Sequence, residues 1–174
     1  YLGWELINPE EYIKFDAEGN LMAGKSHKML SEKLKTTQTA VIPGFYGGTY
    51  SNKIVAFSRG GSDVTGAIVA AASGSDLYEN WTDVPGILMA DPSIVNNPVT
   101  LPVITYKEIR EMAYMGAEVM HQSAIKPVRE LGIPINIKNT KQPEEPGTLI
   151  VKNADYYRSG DLVTGITGKT NLMS

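Results

Sequence analysis

The chain has 174 residues, 42% of them hydrophobic and 20% charged, with a formal net charge of −3 and no cysteine. That length and balance bury one substantial core and suit a globular domain or a piece of one. Without a basic stripe or a polybasic tail, nucleic-acid or membrane-surface binding through bulk electrostatics has no support, and no apolar run approaches the roughly 20 residues a bilayer needs. The lack of cysteine excludes disulfides, thiolate metal sites and cysteine nucleophiles, and with no signal-like start it suits a reducing cytoplasm. The first residue is Tyr1 and residues 165–174 stop in mid-pattern, so we expect a piece of a longer chain.

From the N-terminus, a strand-like run at 12–15 precedes Gly19-Asn-Leu-Met-Ala-Gly24-Lys25-Ser26, which matches the phosphate-loop pattern G-x-x-x-x-G-K-[ST] letter for letter. Its surroundings oppose that role. Leu21 and Met22 are bulky, Asp16 and Glu18 would repel a triphosphate, and no apolar strand ending in a magnesium-binding aspartate follows. We expect a hairpin turn followed by the cap of a helix at 25–35, with Met29, Leu30 and Leu34 on one side and His27 solvated. Residues 40–45 read as a buried strand ending in a Pro-Gly break, 46–52 as a glycine-rich turn and 53–58 as a strand.

That last strand feeds Arg59-Gly-Gly-Ser-Asp63. Two glycines let the backbone approach a ligand, Ser62 is a good N-cap, and the amides and dipole of the next helix favour an anion. Arg59 offers a planar fork for carboxylate or phosphate, and Asp63 an anion that holds an ammonium or orients a lysine. A surface pair capping a helix is the alternative for these two. In the helix, Val64, Ala67, Ile68 and Ala71 share one face, and Gly66, Ala70 and Ala72 keep its surface small.

Gly74-Ser-Asp76 ends that helix and 77–81 form the next strand, leading to Thr82-Asp-Val-Pro-Gly86. Strand, helix and strand predict a parallel, right-handed βαβ unit. Helices follow at 106–115, capped by Thr105, and at 123–131, closed by Gly132, and strands at 133–138 and 147–151 flank an exposed loop at 141–146. This alternation predicts an α/β sandwich with a mainly parallel sheet, whose ligands gather at the C-terminal ends of strands, where 59–63 and 82–86 both fall. By composition alone Thr82-Asp83 is equally a turn before Pro85, and Phe45 equally a core aromatic. His121 reads as a packed or helix-terminal residue, and with two histidines far apart no metal site is expected.

Four ordered blocks carry a resemblance: Val41-Ile-Pro-Gly-Phe45-Tyr-Gly; Ser58-Arg-Gly-Gly-Ser-Asp63; Trp81-Thr-Asp-Val-Pro-Gly86 with Ala90-Asp-Pro92; and Glu111-Met-Ala-Tyr-Met-Gly-Ala-Glu-Val-Met-His121. Residues 133–139 and 146–150 extend it. With them the chain resembles the later part of the catalytic domain of aspartate kinase, in the amino-acid kinase family. The resemblance implies the C-terminal half of a three-layer α/β sandwich over residues 1–151, with 152–174 a linker and the truncated start of an ACT regulatory domain. It implies ATP- and Mg²⁺-dependent phosphorylation of the L-aspartate side-chain carboxylate to 4-phospho-L-aspartate, the first step toward lysine, threonine and methionine, by a cytoplasmic protein that forms homo-oligomers through the missing ACT domains.

The chemistry fits, because bringing a carboxylate to a triphosphate sets anion against anion; catalysis is positioning and charge neutralisation, with no general base. By resemblance Arg59 holds a carboxylate of aspartate, Asp63 engages its ammonium or orients a catalytic lysine, and Phe45, Gly60 and Ser62 shape the pocket. Thr82, Asp83, Gly86, Leu88, Asp91 and Glu118 hold the nucleotide. The family's Lys-x-Gly-Gly loop and the Gly-Glu segment of its aspartate pocket are not in these residues, so the 174 residues alone are expected to be catalytically silent. Leu88, Ser93 and Glu118 stand where relatives often carry tyrosine, arginine and lysine, which weakens a phosphate site. Two other classes remain open: a non-catalytic amino-acid-binding module of the same fold, and a kinase of another acidic amino acid.

Overall fold

The structure, a computed structural model, describes residues 3–58, 60–114, 120, 122–155 and 165. The chain divides into two units, Tyr1–Asp76 with His121–Leu131, and Leu77–Met120 with Gly132–Ser174.

In the first unit, β1 (Glu5–Leu6) pairs in parallel with β2 (Ala40–Val41), Glu5 opposite Ala40. A short helix, α1 (Pro9–Tyr12), opens with proline, whose fixed φ and missing N–H suit a first helical position. The chain then doubles back. The Asn20 amide and side chain both donate to the Asp16 carboxylate, at 2.7 and 3.0 Å, and Phe15 bridges Leu21 in antiparallel fashion. The expected hairpin is therefore present, and α2 (Ala23–Leu34) follows it. Ser26, fully buried, accepts the Lys14 amide at 2.8 Å and donates to Met22 O at 3.0 Å, so the hydroxyl that a phosphate loop would lend to magnesium serves the hairpin instead. Lys25 Nζ lies 4.6 Å from the Tyr50 ring centroid.

The expected strand at 40–45 is shorter than predicted, because β2 stops at Val41 before Pro43 and Gly44. Extended pairing resumes where a turn was expected: β3 (Tyr46–Gly48) runs antiparallel to β4 (Ile54–Ala56), with Tyr46 opposite Ala56. Helix α3 (Gly61–Ser73) leaves β4 and buries Val64, Ala67, Ile68 and Ala71, the predicted face, together with Thr65, Ala70 and Ala72. Its small residues let it pack against both α2 and α5 (Gln122–Leu131). His27, expected to be merely solvated, reaches from α2 to within 3.2 Å of Ala71 O in α3.

The second unit holds a four-stranded sheet ordered β5-β7-β8-β6, formed by β5 (Tyr78–Thr82), β6 (Val103–Thr105), β7 (Ile135–Asn139) and β8 (Thr148–Val151). The β5/β7 and β6/β8 pairs are parallel and β7/β8 is antiparallel. A connection without a helix cannot carry β7 back to its starting end, so β8 returns alongside it as a hairpin partner. The predicted βαβ pairing is corrected likewise: β4 pairs with β3 and β5 with β7. Strand β6 was not expected; it is three residues long and follows the proline-broken stretch 98–102. Helix α4 (Tyr106–Tyr114) starts on a reciprocal cap in which the Thr105 amide donates to Glu108 Oε2 at 2.8 Å and the Glu108 amide to Thr105 Oγ1 at 3.2 Å. Ile104, Ile109, Ile135 and Ile150 are essentially inaccessible and form the core.

The segment from 152 to 174, expected to be a linker and regulatory start, lies largely outside the described residues. Within it, Ala154 is buried in one cluster with Val103 and Val151.

Removing the Ser26 hydroxyl strands a buried amide, so Ser26→Ala is expected to cost about 1–3 kcal/mol in a urea melt. Lys25→Ala, by contrast, should leave nucleotide affinity unchanged in a direct titration, and a loss there would restore the phosphate-loop reading.

Candidate substrate residues and nucleotide loop

The antiparallel course of β3 and β4 brings Phe45, just before β3, to the end of β4, where the Phe57 amide donates to Phe45 O at 2.8 Å. The turn into α3 starts here. Gly60 takes the N-cap position at φ 56° and has no side chain with which to cap the helix, so Ser62, expected as the N-cap, is instead an exposed residue in the first turn. A Cβ on Gly61 would fall 2.8 Å from Phe45 Cα and 2.9 Å from Phe57 Cβ, which only glycine avoids. Gly44 likewise crosses directly over the backbone of Ser62.

Phe45 is not a core aromatic. Its ring is 56% exposed and packs edge-on against Tyr46 at 5.4 Å, and its backbone sits at φ 70°, a left-handed conformation uncommon for a bulky residue. Its amide donates to the buried Thr65 hydroxyl at 3.1 Å. The structure thus gathers Phe45, Gly60, Ser62 and the half-buried Asp63 around one helix start, whose first amides have no intrahelical partners. Arg59 and Glu118 lie outside the described residues.

In the other unit, Thr82 closes β5 opposite Asn139, and its carbonyl accepts both the amide and the hydroxyl of Thr140, at 2.8 and 3.1 Å, which ties together the C-terminal ends of two parallel strands. Asp83 beside it is exposed, and Lys138 Nζ stacks 4.9 Å over the Trp81 ring. Gly86, at φ 134°, passes so close to Thr148 that a Cβ would meet Oγ1 at 2.5 Å. That hydroxyl, wholly buried, accepts the Ile87 amide at 2.8 Å and donates to Leu101 O at 2.6 Å. Leu88 bridges Thr100 and the Met89 amide donates to Val99 O, so 87–89 and 99–101 make a hairpin arm that the sequence did not suggest.

Near the tip, Asp91 Oδ1 accepts the hydroxyl and the amide of Ser93 at 2.6 and 2.8 Å, and these bonds, the hydroxyl's first, hold the Asp91 carboxyl below its ordinary 3.8. Ser93 therefore steadies the loop through Asp91. Among the described residues no group of three or more histidine, aspartate or glutamate side chains is placed to hold a metal ion, and no helix is long and apolar enough to cross a membrane. Thr65, Thr148 and Lys138 went unnoticed in the sequence, because their roles depend on partners that the fold supplies.

A model of the amino acid kinase family matches residues 18–139. Aspartokinase 3 of Bacillus subtilis is 36% identical over 173 residues, 98% of this chain and 38% of that protein, and a chloroplastic aspartokinase 3 of Arabidopsis thaliana is 33% identical over 168 residues, 96% and 30%. Among solved structures, the aspartate kinase of Clostridium acetobutylicum superposes with a TM-score of 0.83 at 52% identity, covering 96% of this chain and 38% of that one. Escherichia coli aspartokinase III, solved with aspartate and ADP, reaches 0.74 at 27% identity over 87% of this chain and 35% of its own. The chain thus spans less than two fifths of these relatives' length.

Two outcomes check this geometry. Thr148→Val leaves the Ile87 amide buried without a partner and is expected to cost about 1–3 kcal/mol, read from the midpoint of unfolding, while Thr148→Ser stays near wild type. Because Asp91 is depressed, its contribution to stability is present above pH 3.8 and is lost as pH falls through the lowered value. A carboxyl NMR titration should place it below 3.8 and move it upward in Ser93→Ala.

Proposed function

Because the chain belongs to the amino acid kinase family, we propose that it forms part of an aspartate kinase, in which ATP phosphorylates the side-chain carboxylate of L-aspartate to give 4-phospho-L-aspartate. The observation that carries this reading is the turn at the start of α3, where a strained, exposed Phe45 stands against a helix start whose N-cap is Gly60 and whose first turn carries Asp63. Helix amides suit an anion and the Asp63 carboxylate suits a cation, so an amino acid, with a carboxylate and an ammonium, matches the chemistry of this turn. The similarity to a protein solved with aspartate and ADP supports the same pair of ligands.

Arg59 supplies the bidentate fork for a substrate carboxylate, Asp63 engages the ammonium or orients a lysine, and Phe45, Gly60 and Ser62 shape the space around them. Thr82, Asp83, Gly86, Leu88, Asp91 and Glu118 hold the nucleotide. The acceptor is already ionised, so no base is needed; the protein aligns two anions and shields them from each other, and Mg²⁺ enters with ATP as part of the nucleotide substrate. Residues 152–174 serve as a linker into a regulatory segment, and the full-length protein works in the cytoplasm as a homo-oligomer. Turnover requires parts found in relatives and not among these residues, so the 174 residues alone are expected to be catalytically silent.

Calorimetric titration of the full-length gene product containing these residues is expected to show aspartate binding that falls by about tenfold or more in Arg59→Lys, since an ammonium cannot reproduce the fork. Unchanged affinity in that variant contradicts the assignment of Arg59. Turnover by the isolated 174 residues contradicts their expected silence.

A further inference from the structure

We propose that Thr65 is a positioning residue for the substrate, acting through Phe45; the proposal rests on the aspartate reading above. Phe45 holds a left-handed backbone at φ 70°, which a bulky residue adopts only under restraint. Burial does not supply that restraint, because the ring is 56% exposed. The backbone is what the protein holds.

Phe45 O takes the Phe57 amide at 2.8 Å, and the Phe45 amide gives its proton to Thr65 Oγ1 at 3.1 Å. Thr65 is 3% exposed, and its own proton is committed to Gly61 O, one helical turn back, at 2.8 Å. With that proton spoken for, the oxygen can face Phe45 only as an acceptor. The Gly61 carbonyl belongs to the first turn of α3, the turn that carries Ser62 and Asp63. One hydroxyl therefore joins the strained residue to the backbone that presents the aspartate ligands, while Gly61 closes the other side by contact with Phe45 Cα. Without the hydroxyl the Phe45 amide is left unpaired, the strained conformation loses one of its restraints, and the ring leaves the place from which it borders the substrate. Nucleotide residues are untouched by this change, which separates a positioning role from general loosening.

The test uses the full-length gene product containing these residues, with aspartate and MgATP varied in turn. For Thr65→Val the KM for aspartate is expected to rise about tenfold with the KM for ATP within about twofold of wild type, and Thr65→Ser, which keeps the hydroxyl, is expected to restore both. If Thr65→Val does not fold, Thr65→Ala is read in the same way. An unchanged aspartate KM, an equal rise in both KM values, or a failure of Thr65→Ser to restore affinity overturns the proposal while the aspartate reading stands. A wild-type protein that neither binds nor phosphorylates aspartate overturns that reading, and the proposal with it.

Discussion

A backbone contact at Gly61 constrains the first unit. The helix start is pressed against Phe45 and Phe57 closely enough to exclude any side chain at that position. The closeness passes onward: β3 hydrogen-bonds the 13–15 segment through Gly48, whose amide donates to Ile13 O at 2.9 Å and whose carbonyl accepts the Phe15 amide at 3.0 Å. A side chain on Gly47 would collide with Ile13 and Phe15. Hairpin, ribbon and helix are thus spaced by backbone atoms rather than by interdigitating side chains. Such spacing tolerates little adjustment, and this rigidity is what keeps Phe45 where its own dihedral preference would not put it.

In both units an irregular segment bearing candidate ligands is fastened by a buried threonine hydroxyl beside a glycine. Thr65 joins the Phe45 amide to the Gly61 carbonyl, and Thr148 joins the Ile87 amide to the Leu101 carbonyl next to Gly86. The physical need is the same in each. Loops that turn inward leave backbone amides and carbonyls without ladder partners, and an amide buried unpaired costs more than a made bond returns. A hydroxyl that accepts and donates at once satisfies one of each. Valine would fill the same volume and satisfy neither.

The helices were legible because their signals are local. The i, i+3, i+4, i+7 spacing of α3, Gly74 at its end, Gly132 after α5 and Thr105 before α4 each act within a few residues of where they are read. The hairpin at 16–21 was legible for the same reason: two acids and a glycine in a loop with bulky Leu21 and Met22 argue against phosphate wherever the loop sits. What was misread depends on distant partners. Strand β3 looks like a glycine-rich turn until β4 is placed beside it, and the antiparallel β8 looks like one more parallel strand until the absence of a crossover helix is weighed. Ser62 has the chemistry of an N-cap, but the cap falls two residues earlier, at Gly60. At the candidate site, Phe45 lies against Gly61 at the start of α3, and the strain at Phe45 left no mark in the sequence, because φ is not a property of residue type. Thr148 stands 61 positions from the amide it holds, beyond the reach of any local pattern.

Charge at the start of α3 gives the sharpest limit on what can bind there. A helix start draws anions through its amides and dipole, and a phosphate or a simple carboxylate would answer to that alone. Asp63, placed in the same turn and with an interaction of its own, adds a carboxylate beside those amides. In the function proposed above, that pairing of positive helix amides and a carboxylate corresponds to a ligand that carries both charges, as an acidic amino acid does. Under that same proposal the exposed Phe45 would border the ligand with apolar surface, lowering the local dielectric and strengthening both charged contacts.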